Sequence, residues 1–409
     1  MAAAALFVLA SGLATAANAQ QPCTTSNGQP GIIAGSSGVC SPTSSGPQPL
    51  VPRIGAPSEA NGPSGAPIDA PGWGDSVVGK LINADTGNDP YLNISSTRDN
   101  GAGVTSASGT ISGPAQSSRI TDIDGGVDGH FNFNSTKVFD ITANQRLLIG
   151  GFFDYDSEHI SYGSPTTIAA ATSANRNIYT LGGQFRYDVA STYFGGGVAG
   201  ELGNGSLNGS ASSGGFDSHG YAGAGYVGHV FTLFDTTGPS YTPSLLPTKA
   251  PSKPASGYVV NLDVSAHLSY ADDEIGGFTD STGFARGTER LAFWDAGGVA
   301  KLFWVLPPWG RVTWSPFVAA TVDQWFGFQH TLDLPAQAAL PAGDTLFYGT
   351  AQTFGGAQAG IDFVDVSGVR FGMKGYYQQS QEFQVFGGLG YIKFPILGWL
   401  GVQPVVARN

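Results

Sequence analysis

From Arg119 onward the chain alternates apolar and polar residues with a period of two, which demands strands with two unlike faces. In 121–133 one face reads Ile123, Gly125, Val127, Gly129, Phe131, Phe133 and the other Asp122, Asp124, Gly126, Asp128, His130, Asn132. In 257–270, Tyr258, Val260, Leu262, Val264, Ala266, Leu268 and Tyr270 oppose Val259, Asn261, Asp263, Ser265, His267 and Ser269. The pattern recurs in 178–188, with Arg186 on the polar side, and in 369–378, with Arg370 and Lys374 there. Further strands are expected at 146–156, 192–202, 219–233, 291–305, 312–326, 345–363 and 382–394. That gives eleven or twelve strands between 119 and 396, separated by Gly/Ser/Asn/Asp/Pro turn text. Connections at 157–176, 203–217, 234–256, 271–288 and 327–344 read as long loops, and those at 188–191 and 307–310 as short turns.

A soluble antiparallel sheet alternates too, but it keeps a polar face toward water. This chain has only seven Lys, and its charged residues make up 12%, about half the usual share. Five of seven Trp lie between 294 and 325, and Trp294, Trp304 and Trp314 share one parity at a spacing of ten. Ten strand residues tilted by about 45° climb roughly 24 Å, close to the apolar band of an outer-membrane barrel, which carries an aromatic girdle at each edge. These three Trp residues are therefore read as girdle positions. The polar face is read as a lumen lined by Asp124, Asp128, His130, Arg186, Asp263, His267, Asp295, Lys301, Asp323, Asp362, Arg370 and Lys374. The fold class that follows is all-β: a transmembrane antiparallel up-and-down β-barrel of about 12 strands. No apolar run is long enough for a membrane helix; the best, 394–406, is too short and is broken by Pro395 and Pro404. Only a closed barrel then satisfies every backbone group in lipid.

The rest of the chain reads as export apparatus. Residues 1–19 resemble a signal peptide, with an apolar stretch from Ala2 to Leu13 and a small-x-small site at Ala17-Asn18-Ala19. Residues 20–118 are rich in Gly, Ser, Pro, Thr and Asn, too poor in apolar surface to offset chain entropy, and are expected to form a disordered exported arm with at most one short helix over 73–84. The barrel is assigned to 119–396 and a C-terminal tail to 397–409. In an oxidising compartment Cys23 and Cys40 are expected to form a disulfide, with two free thiols as the alternative. The net charge of −12 argues against nucleic acid.

The export signal, the Gly/Ser-rich arm and segments such as 182–188 (GGQFRYD) and 357–363 (AQAGIDF) resemble the autotransporter β-domain of Gram-negative bacteria. The resemblance implies a barrel in the outer membrane, surrounded by outer-membrane lipids, inserted by the barrel-assembly machinery and helping to export an N-terminal passenger. Searches for chemistry find little. Nucleotide loops, metalloprotease motifs and CxxC pairs are missing. Asp122–Gly129 looks like a calcium loop, but its twelfth position is Phe133 rather than Glu. Asp272-Asp273-Glu274 reads as a solvated loop cluster. No cofactor, metal or catalytic set is expected. The leading reading is a non-enzymatic, autotransporter-like barrel that secretes or displays a short arm toward extracellular surfaces. A porin-like passive channel for small solutes is the alternative. A barrel hydrolase drawing on His130, His267, Ser265, Asp128 and Asp263 is the third.

The cleavage pattern predicts a mature chain that begins at Gln20. N-terminal sequencing of exported protein checks this, and a retained Met1 would overturn it.

Overall fold

The computed structural model describes residues 21–24, 30–33, 40–42, 90–100, 104–107, 112–113, 117–134, 145–162, 173–208, 213–236, 257–281, 285–334, 344–349, 351–365, 367–381 and 383–394. The signal segment, the expected helix at 73–84 and the C-terminal tail lie outside these residues. Cys23 and Cys40 sit on short strands of a separate three-stranded sheet. Their side chains, and so the expected disulfide, fall outside what is described.

Twelve strands make the main body. They are β1 (Pro90–Asn100), β2 (Ser117–Asn134), β3 (Gln145–Tyr162), β4 (Ser173–Val189), β5 (Thr192–Asn208), β6 (Ser213–Asp235), β7 (Val259–Ile275), β8 (Glu289–Val305), β9 (Val312–Leu334), β10 (Thr353–Asp365), β11 (Arg370–Gln379) and β12 (Gln384–Lys393). Each is antiparallel to its neighbours in sequence. β12 returns to pair with β1, from Gln384↔Asn100 to Lys393↔Tyr91, and closes the ring. The Phe394 N–H adds a bond to the Pro90 carbonyl at 2.9 Å. Closure leaves no unpaired edge.

The first strand corrects one boundary. β1 lies inside the stretch assigned to the arm, so the barrel begins at Pro90 rather than Arg119. Its text, PYLNISSTRDN, is dominated by Ser, Thr and Asn, which read as linker, yet Leu92 and Ile94 carry the outer parity and both are exposed.

The polarity is inverted relative to a soluble protein. Ile123, Val127 and Phe131 on β2, Phe194, Val198 and Leu202 on β5, and Val264 and Leu268 on β7 are exposed on the outside, while the polar residues between them are buried inside. A lipid-facing wall requires this arrangement. Inside, aromatic rings fit over glycines of the neighbouring strand. Tyr193 pairs with Gly228 and Tyr226 with Gly195, and a Cβ on either glycine would collide with the facing ring. Close approach, not turn formation, explains these two glycines.

The outer face changes character along the strands. On β5 it runs Phe194, Val198, Leu202 and then Asn204, Ser206, Asn208. On β3 it runs Ile149, Phe153, Tyr155 and then Ser157, His159, Ser161. Over the same rise the inner face turns apolar, with Ile160, Ala174, Leu207, Phe216, Ile275 and Leu291 all buried. The switch falls at a belt of rings: Tyr221–Tyr270 at 5.8 Å, Tyr270–Trp294 at 4.9 Å and Trp294–Phe326 at 6.3 Å between centroids. Beyond it the strands are polar outside, and the inside is apolar apart from a few buried charges such as Arg176, Asp273 and Glu289. A 17-residue strand such as β4 climbs about 40 Å when tilted by 45°, well over the ~25 Å apolar band.

This extension corrects the loop expectations. Three long loops shrink to 163–172, 209–212 and 276–288, and a fourth moves from 327–344 to 335–352, because strands continue where lipid-type alternation has ended. Asp272, Asp273 and Glu274 belong to β7, not to a loop. The long connection 236–258 joins strands at the same end as the short turns 190–191, 306–311 and 366–369, so the two ends are not divided cleanly into long and short connections.

The wall predicts opposite reagent access at neighbouring sites. Val198 sits between the aromatic rows and is 69% exposed on the outer face; Trp309, in the turn before β9, is 87% exposed. In a background lacking Cys23 and Cys40, Trp309→Cys in outer-membrane fragments should react with a water-soluble maleimide, and Val198→Cys only with a lipid-phase label. Val198→Arg should cost about 2–4 kcal/mol in reversible unfolding from vesicles, as a cation at mid-bilayer does. Equal aqueous labelling at both positions would sink the lipid-facing assignment.

Candidate functional site in the barrel lumen

Because side chains alternate along each strand, the inward parity of twelve strands converges on one interior. All twelve residues expected in the lumen lie on this buried inner face, from Asp124 and Asp128 on β2 to Arg370 and Lys374 on β11. Of the expected girdle residues, Trp294 and Trp314 are exposed outside and Trp304 is half-buried. Trp314 Nε1 donates to the Pro307 carbonyl at 3.2 Å.

The inner charges form three groups. In the first, Arg176 of β4 reaches across three further strands. Its Nη2 donates to Asp273 Oδ1 on β7 at 2.6 Å and to Glu201 Oε1 on β5 at 3.3 Å, and its Nε to Ser218 Oγ on β6 at 3.2 Å. Glu158 stands opposite Arg176 in the β3–β4 register. Arg176 is 1% exposed, so this set is held out of water, where charge-assisted bonds are strong and a missing partner is costly.

The second group lies nearer the short turns. Arg146 Nε and Arg186 Nε donate to Asp188 at 2.9 and 2.8 Å. The Arg186 guanidinium sits 4.2 Å from the centroid of the Tyr193 ring, and the Tyr193 hydroxyl donates to Asp263 Oδ1 at 2.7 Å. Asp263 faces Lys301 across the β7–β8 pair. Lys301 Nζ is 4.3 Å from the Phe317 ring centre, and Tyr391 donates to Asp362 at 2.9 Å. A chain of bonds and a ring contact therefore runs from Arg146 on β3 to Asp263 on β7, and the facing Lys301 carries it on to Phe317 on β9.

The third group joins His267, Asp295 and Asp323, on β7, β8 and β9. His267 Nε2 lies 3.0 Å from Asp295 Oδ2 and 3.6 Å from Asp323 Oδ1. His130 instead meets Gln184 at 2.8 Å. His267 thus faces two carboxylates, and the Ser–His–acid arrangement raised from the sequence is not what these contacts assemble. The calcium-loop text at Asp122–Gly129 is strand, with Asp122, Asp124 and Asp128 all turned inward.

Sequence reasoning did not select Arg146, Arg176, Asp188, Glu201, Asp273, Glu289 or His330 as site residues. His330 and Glu289 meet at 3.1 Å, both fully buried. Asp272, next to Asp273 but on the outer face, accepts from Arg290 Nε at 2.8 Å and from the hydroxyls of Tyr270 and Tyr221 at 3.0 and 3.2 Å. This cluster ties the aromatic belt to a charged pair at its edge. Continuing the inward parity past Tyr179 and Tyr270 would have found Arg176 and Asp273, and Glu201 already has the inward parity within 192–202.

No protein-family model matches the chain, and no curated protein matches it by sequence. Solved structures do match its fold. The transport unit of the autotransporter AIDA-I from Escherichia coli superposes with a TM-score of 0.53 at 12% identity, over 76% of this chain and 91% of that one. Its fold resembles an autotransporter transport unit. The β-domain of the Bordetella autotransporter BrkA (TM-score 0.45, 11% identity, 76% of this chain and 99% of that one) and the translocator domain of NalP from Neisseria meningitidis (0.40, 12%, 76% and 90%) also match. The chain has the fold of an autotransporter transport unit: a closed, antiparallel, up-and-down β-barrel.

The Arg176 group generates a stability prediction. Arg176→Met strands Glu201 and Asp273 without their buried cation, and should cost about 3–5 kcal/mol in urea unfolding of the refolded barrel. Adding Glu201→Gln and Asp273→Asn should recover part of that loss. An unchanged midpoint for Arg176→Met would show that the pairing contributes nothing.

Proposed function

We propose that the chain is a non-enzymatic, autotransporter-like anchor in the outer membrane of a Gram-negative cell, which carries its N-terminal arm to the cell surface and does not serve as an open solute channel. One observation carries the reading: the inner charges are shut away from water, and the arginines among them are held against acid groups. Arg176, Asp273, Arg186, Asp263, Asp295 and Asp323 are all nearly inaccessible, whereas a passive pore needs a continuous wet path lined by accessible polar groups. The order of the chain agrees, with a low-complexity arm leading into the first strand at Pro90.

The alternatives find less support. A porin reading predicts exposed lumen charges. A hydrolase reading needs a nucleophile within reach of a histidine, while His267 faces carboxylates.

Two measurements test the proposal. Purified full-length protein in planar bilayers should give little steady conductance. An epitope inserted near residue 60 should be open to antibody and protease on intact cells. A large stable conductance, or an epitope reached only after the outer membrane is permeabilised, would overturn it.

A further inference from the structure

His267, Asp295 and Asp323 come from three consecutive strands and turn one ligand atom each toward a common point. These atoms all lie within 4.8 Å of one another. In the register His267, Gly297 and Asp323 form one row across β7, β8 and β9, and Asp295 stands two residues along β8 on the same face. Gly297 is what leaves the space open. A Cβ there would collide with Asp323 Oδ1 and lie 2.6 Å from His267 Cε1.

The hydrogen bonding is incomplete in a particular way. Asp323 is 1% exposed, and neither of its carboxylate oxygens has a hydrogen-bond partner among the described residues. Asp295 Oδ1 is in the same state, and Asp295 is fully buried. Two carboxylates aimed at one imidazole deep in a wall, with His267 Nε2 meeting only Asp295 Oδ2 within hydrogen-bond distance, cost a great deal unless a cation meets them. Elsewhere in the lumen Asp188, Glu201 and Asp273 each have an arginine beside them. No such side chain makes an ion pair with Asp295 or Asp323 among the described residues.

We propose that His267, Asp295 and Asp323 bind a divalent metal ion of the zinc class inside the barrel wall. The donor set, one imidazole nitrogen and two carboxylate oxygens, suits a borderline cation better than calcium or magnesium, which take oxygen ligands. The spacing suits it as well. Tetrahedral bonds of about 2.0–2.2 Å put neighbouring donor atoms roughly 3.3–3.6 Å apart, and His267 Nε2 stands 3.0 and 3.6 Å from its two partners. The ion would replace Asp323's missing donors and offset both carboxylate charges. It would also pin β7, β8 and β9 together from within. Three protein ligands leave a fourth position for water, as in open zinc sites.

The test uses full-length protein without a histidine tag, refolded into detergent with Co²⁺ or Zn²⁺ and then passed through a chelating column. One equivalent of metal should remain per chain, and Co²⁺ should show the visible d–d absorption of a low-coordinate site. Zinc should raise the thermal midpoint of the wild type. Asp323→Asn, nearly isosteric, should keep the β-sheet circular dichroism but lose the bound metal and the zinc-dependent shift; His267→Gln should do the same. Gly297→Ala, which fills the gap without touching a ligand, should weaken retention at least tenfold. Retention of metal by Asp323→Asn and His267→Gln alike would assign it to other groups, and a wild type that holds no metal after refolding would leave the cluster an ordinary buried His–Asp pair; either result overturns the proposal.

Discussion

Every backbone N–H and C=O in the wall of this protein must find its partner on a neighbouring strand, because the surface outside is apolar and offers none. The twelve-strand ring meets that demand only if it closes. Closure rests on the seam between β12 and β1, where Gln384–Lys393 pairs residue for residue with Tyr91–Asn100. Once the ring is shut, alternation along each strand sorts the side chains into two environments, and the rest of the architecture follows from that sorting.

The two environments are treated differently. Outside, Val198, Leu202 and Phe131 need only be apolar and of tolerable size. Inside, groups that would be costly alone are satisfied through contacts that cross several strands, such as Arg176 with Ser218, Glu201 and Asp273. The ring fixes the distances over which those contacts form, and the contacts in turn brace the ring. Above the aromatic belt the same strands exchange the roles of their faces, and Ile160, Leu207 and Phe216 form an apolar interior beneath a polar exterior. A single set of strands thus serves two solvents in succession.

Much of this was legible in the amino-acid text. Period-two alternation identified eleven of the ring strands and the inward parity of Asp124, His267, Lys301 and Asp362, because a lipid-facing wall writes its demand at every second residue. Where lipid contact stops, the demand stops being written. β1 was missed because Ser, Thr and Asn serve equally as linker and as strand, and its pairing with β12 is a contact between the two ends of the chain. The extensions of β3 to β7 were missed because polarity reverses there, so a reading that follows apolar outer residues ends too early. The His267–Asp295–Asp323 group could not be assembled from spacing, since its members come together only when three strands adopt one register across Gly297.

The seam also governs how such a chain can come into being. One edge of the first strand waits for the last: Tyr91, opposite Gly126 on one side, has no partner on the other until Lys393 has been made. A contact of that sequence separation carries a large loop-closure cost and is paid late. The barrel therefore cannot grow strand by strand into a stable partial wall during synthesis, since every open intermediate exposes two raw edges and an apolar face. The whole polypeptide has to be delivered and held unfolded, and then closed in one act. Loss of the final ten-residue strand would unmake the entire fold rather than shorten it.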